Sequence, residues 1–210
     1  MSIELSVIRS PQAFKECKSK WENFRHQQND HAMCNSWYWL NTWIDIFLRP
    51  QDQLYLHVWR NKDEIVGLIP CYLKSTFAGN ELRFIATGEV EKAEVCSEFQ
   101  DFILDTDFKE EILAQFTDRI MANANISAVI FNNVLITSKV YQWLETLNKH
   151  RWIKTVKSKG KRYLIPVKQE QTAQLSSFKS KSIKRHAKQF FADSHWHVVL
   201  INDSAALTKF

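Results

Sequence analysis

The chain has 210 residues, 45% of them apolar, with 8 Trp and 14 Phe but only 4 Gly and 4 Pro. This suits one large domain, or one domain plus the start of another, and excludes a disordered or low-complexity chain. The net charge of +5 is local: thirteen Lys/Arg and one acidic residue, Glu170, lie between Lys149 and Phe190, which points to an anionic partner of the C-terminal third.

Residues Ile3 to Val7 alternate like a short strand. They lack the charged start and apolar middle of a signal peptide. No apolar run approaches the ~20 residues of a membrane helix. The expectation is therefore a cytoplasmic protein with no membrane span. Ser10-Pro11 opens a helix with Phe14, Cys17, Trp21 and Phe24 at helical spacing. A second helix follows Asn35 or Ser36, either of which can cap it, and Trp39, Leu40, Trp43, Ile44 and Phe47 form its apolar face. Pro50 stops it.

Leu54–Trp59 and Ile65–Leu73 flank the turn Arg60-Asn61-Lys62-Asp63 and read as a hairpin. Pro70 predicts a bulge or an exposed edge. Leu82–Ala86 is a third strand. Thr87–Ser97 is an acidic connection, and Phe99–Leu104 is short and extended. A helix is expected over Asp107–Asn123, with Ile112, Leu113, Phe116 and Ile120 inward. Ala128-Val129-Ile130-Phe131 reads as a central strand buried on both faces, and Ser138–Lys149 as another helix. Trp152–Val156 and Tyr163–Val167 form a second hairpin around Ser158-Lys159-Gly160-Lys161. Residues Gln169–Gln174 are linker-like. A basic helix follows over about Ser177–Ala192, then a strand at Val198–Ile201. The four cysteines, Cys17, Cys34, Cys71 and Cys96, include no Cys-x-x-Cys pair and read as small buried hydrophobes.

The resulting order, β-α-α-β-β-β-(β)-α-β-α-β-β, predicts an α/β (α+β) fold with a mixed, mostly antiparallel sheet flanked by helices. It resembles the GNAT acyltransferase fold over roughly the first four-fifths of the chain. Asn35–Trp43, Glu64–Pro70 and Leu175–His186 resemble phrases of CelD/BcsL-type proteins, two-lobed relatives of the FemAB peptidyltransferases. The resemblance implies a lobe over 1–167 and the linker, basic helix and first strand of an incomplete second lobe over 168–210. The chain then reads as a fragment or a truncated gene product, lacking the C-terminal lobe. The resemblance also implies transfer of an acyl group from acyl-CoA to a small-molecule or cell-envelope sugar acceptor.

In GNAT enzymes the cofactor's pyrophosphate rests on backbone N–H groups of a Gly-rich loop at a helix N-terminus. The corresponding stretch here, Thr87–Asp107, holds one glycine, Gly88, and a net negative charge. The expectation is a degenerate lobe that does not bind acyl-CoA and is inactive alone, the donor site belonging to the second lobe.

Lys179, Lys181, Lys184, Arg185 and Lys188 on the basic helix are the candidates for an anion site. A solvated helix face is the plainer reading. Trp37 or Tyr38 is the candidate for stacking on a sugar, Trp39 and Trp43 reading as core. Glu98, Gln100 and Asp101 sit where the resembled family often has polar residues, and are candidates to touch the acceptor or to form an edge-strand surface. Lys157, Lys159, Lys161 and Arg162, with Trp152 and Tyr163, suit nucleic acid as a competing ligand, although no named nucleic-acid motif is present. His195 and His197 share a strand face, but sequence places no third ligand, so no metal is expected. A non-catalytic module binding an anion or nucleic acid is the alternative function.

Overall fold

The computed structural model describes residues 3–147 and Arg185. The chain divides into two compact units, Met1–Thr155 and Val156–Phe210. Within the second, Arg185 is helical and exposed. Lys181, Lys184 and Lys188, the second hairpin, and His195 and His197 lie outside the described residues. The first unit is a mixed α+β fold with mostly antiparallel strands flanked by helices, as the element order predicts.

Strand β1 (Glu4–Ile8) leads to Ser10, whose Oγ accepts the Ala13 N–H at 3.2 Å and caps α1 (Pro11–Glu16). The single helix expected here is broken at Cys17, whose thiol donates to the Phe14 carbonyl at 3.0 Å. The chain resumes as α2 (Lys18–Gln27). Of the two expected caps for α3 (Trp37–Phe47), Ser36 serves, accepting from the Trp39 N–H at 3.2 Å. Arg25, 5% exposed, braces the intervening turn by pairing with Glu22 and Asp30 and donating to the Ala32 carbonyl.

The predicted hairpin is present and longer than expected. It comprises β2 (Gln53–Leu54) and β3 (Leu56–Asn61) going out, and β4 (Glu64–Ile69) and β5 (Cys71–Thr76) returning. One register runs from Gln53↔Leu73 through His57↔Ile69 to Trp59↔Gly67. The turn is closed by Lys62 at φ 55°. Val66 is the extra residue, skipped between the Trp59↔Gly67 and Arg60↔Ile65 pairs, so the bulge falls there and not at Pro70. Pro70 is also buried rather than on an exposed edge.

Pro70 marks a fork instead. Lacking an N–H, it separates β4, which pairs with β7 (Ile103–Leu104), from β5, which pairs with β6 (Gly79–Phe84). The Pro70 carbonyl accepts the Ile85 N–H at 2.9 Å where β6 departs. The sheets are β1-β3-β4-β7 and β2-β5-β6-β8, with β8 (Ile126–Ile130) parallel to β6. The chain crosses from β6 to β8 through β7 and α4 (Lys109–Ala122). In strand β8, Ile126 is buried, Ser127 is exposed and Ala128, Val129 and Ile130 are half-buried, contrary to the expectation of burial on both faces. It ends the sheet among the described residues, so a continuous apolar run here reflects one packed face. Helix α5 (Lys139–Leu147) follows.

The hairpin separates two cores because alternate residues face opposite ways. Leu54, Leu56 and Val58 pack with Phe14, Trp21, Phe24, Leu40, Trp43 and Ile44 of α1–α3. Tyr55 and Trp59 pack with Ile112, Phe116 and Ile120 of α4 and Val140, Trp143 and Leu147 of α5. Of the cysteines, Cys34 and Cys71 are buried as expected, Cys17 is half-buried, and Cys96 is exposed. Burial pushes the Cys17 thiol up to about 11.

Candidate functional site

The parallel pair β6/β8 ends where the chain must turn twice, once after Phe84 and once after Ile130. Ligands of sheets with parallel strands commonly bind beyond such carboxyl ends, so the two connections form the candidate site. Their backbone is tightly curled. Ala86, Cys96, Phe99 and Asn133 have φ of 69°, 53°, 61° and 52°, and Gly88 has φ 85°. A Cβ on Gly88 would stand 2.9 Å from both the Tyr72 hydroxyl and Arg83 Cδ. Gly88 is therefore accounted for by close approach of its own chain.

Buried and half-buried donors pin this segment by its carbonyls. The Tyr72 hydroxyl donates to Thr87 O at 2.7 Å and Lys74 Nζ to Gly88 O at 2.5 Å. The Thr87 hydroxyl donates to Phe84 O at 2.8 Å. Trp43 Nε1 donates to the Glu89 carboxylate. Burial pushes the Tyr72 phenol up, which keeps it a donor.

Gln100 and Asp101, both predicted site residues, are held by the chain itself. Gln100 is 1% exposed, and its amide NH2 bridges the Cys34 carbonyl at 3.1 Å and the Ile85 carbonyl at 2.9 Å. Its Oε1 has no partner. Asp101 accepts the Lys139 and Val140 N–H groups at 2.9 and 2.8 Å, so its carboxylate caps the start of α5. Burial pushes this carboxyl above its ordinary range although the two N–H groups pull the other way. Replacing Asp101 with alanine should cost about 1–2 kcal/mol of unfolding free energy by loss of the cap. Urea titration checks this, and an unchanged midpoint would refute the capping role.

The start of α4 carries Glu110 and Glu111 in its first turn and has no side-chain cap. The start of α5, after β8, and the start of α4, after β7, therefore both present carboxylates of this chain. That arrangement suits a cationic or neutral hydrogen-bonding group better than an anion.

Trp37 packs at the edge of the core formed with α1–α3. It is half-buried and stacks on Phe14 at 5.9 Å, while its Nε1 donates to the Phe14 carbonyl at 3.0 Å. Its neighbour Tyr38 is 58% exposed and is the freer ring. Lys18 Nζ stands 4.4 Å from its centroid. Glu98 is exposed. Arg185 is the one described member of the basic set. Among the described residues no three His, Cys, Asp or Glu side chains are grouped to hold a metal ion, and no helix is long and apolar enough to cross a membrane.

One buried group escaped sequence reading. His57 is fully buried, with Tyr55 and Phe116 edge-on at 4.5 and 5.0 Å and Trp59 stacked at 5.6 Å. Neither ring nitrogen makes a well-formed hydrogen bond, and the Tyr55 backbone beside the ring pulls its pKa upward. Burial, and then the charge of Arg119, lower its pKa to about 3. The alternation of Leu54–Trp59 holds the only signal, since His57 shares a face with Tyr55 and Trp59.

No protein-family model and no curated protein matches the sequence. Among solved structures, the chain is similar to an aminoglycoside acetyltransferase from an uncultured soil metagenomic sample, at 14% identity and TM-score 0.44, over 80% of this chain and 100% of that one. It is similar to a ribosomal-protein-alanine N-acetyltransferase from Brucella melitensis biovar Abortus 2308, at 5% identity and TM-score 0.43, over 78% and 100%. It is also similar to an integron cassette protein from the mobile metagenome of V. cholerae, at 10% identity and TM-score 0.39, over 90% and 99%.

Proposed function

We propose that this chain is a GNAT-like lobe of an acyltransferase, of the CelD/BcsL type, that presents an acceptor rather than holding the acyl-CoA donor. The observation that carries the reading is the strand plan: β1, helices α1–α3, then a meander of β2–β6 whose last strand, β6, pairs in parallel with β8 across a crossover through β7 and α4. Residues 168–210 open a second lobe in this reading, and that lobe supplies the donor site. A small molecule or a cell-envelope sugar is the acceptor.

A pyrophosphate does not fit the described connections. Thr87 and Gly88 turn their carbonyls to buried and half-buried donors, Asp101 already occupies the start of α5, and α4 begins with two carboxylates. The α4 carboxylates would repel the anion, and Asp101 takes the N–H groups it would need at α5. The curled backbone and the acidic helix starts instead suit hydroxyl or ammonium groups of an acceptor.

Calorimetric titration of the 210-residue chain with acetyl-CoA is expected to show no saturable binding. Saturable binding that is lost when Gly88 is replaced by a bulkier residue would overturn the reading. Tight, salt-sensitive binding of RNA would instead favour the basic third as a polyanion-binding module.

A further inference from the structure

A cleft of about 660 Å³ opens between the end of β1, the connection from α3 to β2, and strands β5 and β6. It lies at the amino end of β6, so it is separate from the connections beyond the carboxyl ends of β6 and β8. Its size falls in the usual range for small-molecule sites, roughly 300–1,000 Å³.

Two guanidinium groups stand in its wall, Arg9 and Arg49. Arg9 is held by its Nη1 donating to Gln53 Oε1 at 2.9 Å and by the face of Tyr55 at 5.1 Å. It has no carboxylate partner among the described residues. Arg49 is gripped by a fork, its Nε and Nη2 donating to Asp52 at 2.8 and 2.7 Å, and Nη2 also reaches the Ser75 carbonyl at 3.0 Å. Asp52, with a side chain 3% exposed, is itself fixed by the Ser75 N–H at 2.9 Å. Asp52 neutralises one of the two cations and orients Arg49, leaving Arg49 Nη1 unused. The cleft keeps one net positive charge, two pre-positioned planar donors and apolar wall from Pro11 and Pro50.

We propose that this cleft binds a small organic anion, with one carboxylate or phosphate on Arg9 and Arg49 Nη1 and its apolar part against the two prolines. Planar guanidinium donors match both anions. Holding them in place beforehand removes ordering cost from binding. The idea stands independently of the acyltransferase reading.

The test is an NMR titration of the 210-residue chain, with inorganic phosphate and benzoate as separate probes. Saturating shifts at the Arg9 and Arg49 Nε resonances and along residues 49–54, with either probe, support the site. Arg9 is exposed, so Arg9→Gln spares the core and should weaken that binding at least tenfold. Shifts that fail to saturate with both probes, that survive Arg9→Gln unchanged, or that centre on the basic third would overturn it.

Discussion

Replacing Trp143 with alanine should lower the free energy of unfolding by about 3–5 kcal/mol, the usual cost of removing a large buried aromatic. Trp143 is 1% exposed and touches the rings of Phe102, Phe116 and Phe131 at 5.6, 4.9 and 6.2 Å. Its Nε1 also donates to the Thr117 hydroxyl at 2.9 Å, tying α5 to α4. The cavity left by alanine is lined by rigid rings that close poorly around it, so little of the cost is recovered. Trp143→Phe keeps most of the ring contact and should cost less than half as much. Urea unfolding followed by circular dichroism reads both. A loss below about 0.5 kcal/mol for the alanine variant would mean that this aromatic cluster does not anchor α5.

Acid should weaken the fold through His57 over a window that carboxylates alone do not explain. The folded-state pKa of about 3 lies below the ordinary histidine value of 6.5. The unfolded chain therefore takes up the proton first as pH falls. The stabilisation is fully present above pH 6.5 and is lost progressively between 6.5 and about 3. At 1.4 kcal/mol per unit, the whole window is worth on the order of 5 kcal/mol. Burial among three aromatic rings is the main cause, and Arg119 and then Arg9 add like charge. His57→Phe removes the titrating group and both its nitrogens. Any overpacking by the larger ring is independent of pH, so it cancels in the slope. The difference in unfolding free energy between the variant and the parent should shift by about 2–3 kcal/mol in favour of the variant between pH 7.5 and pH 4.5. Parallel pH profiles would show that His57 is hydrated or paired in solution.

What sequence reading captured is local. Ser10-Pro11 and Ser36 start helices because a side-chain oxygen answers an N–H three residues away, and that chemistry needs no distant partner. The hairpin is readable from alternation and a polar turn. The break at Cys17 and the half-exposed face of β8 were not readable, because each depends on what packs nearby. Pro70 announces a disturbance in a strand but not its kind. Only the arrival of β7 on one side and β6 on the other makes it a fork.

The candidate site divides the same way. Gln100 and Asp101 stand out in sequence as polar residues after the meander. Their partners, Cys34 and Ile85 for one and Lys139 and Val140 for the other, lie as many as 66 residues away. The acidic, Gly-poor character of Thr87–Asp107 is plain in the sequence, whereas the inward turn of its carbonyls is not. Arg9 and Arg49 carry no motif, and they line one cleft only because the end of the first strand lies beside the loop after the third helix.

The fork at Pro70 has a mechanical consequence. The same two hairpin strands act as spine to both sheets, and their opposite faces seal both cores. Peeling either layer away strips the backing from the other, so neither half has an independent melting step. The unit should come apart in one cooperative transition, with tryptophans on both sides of the spine reporting the same midpoint.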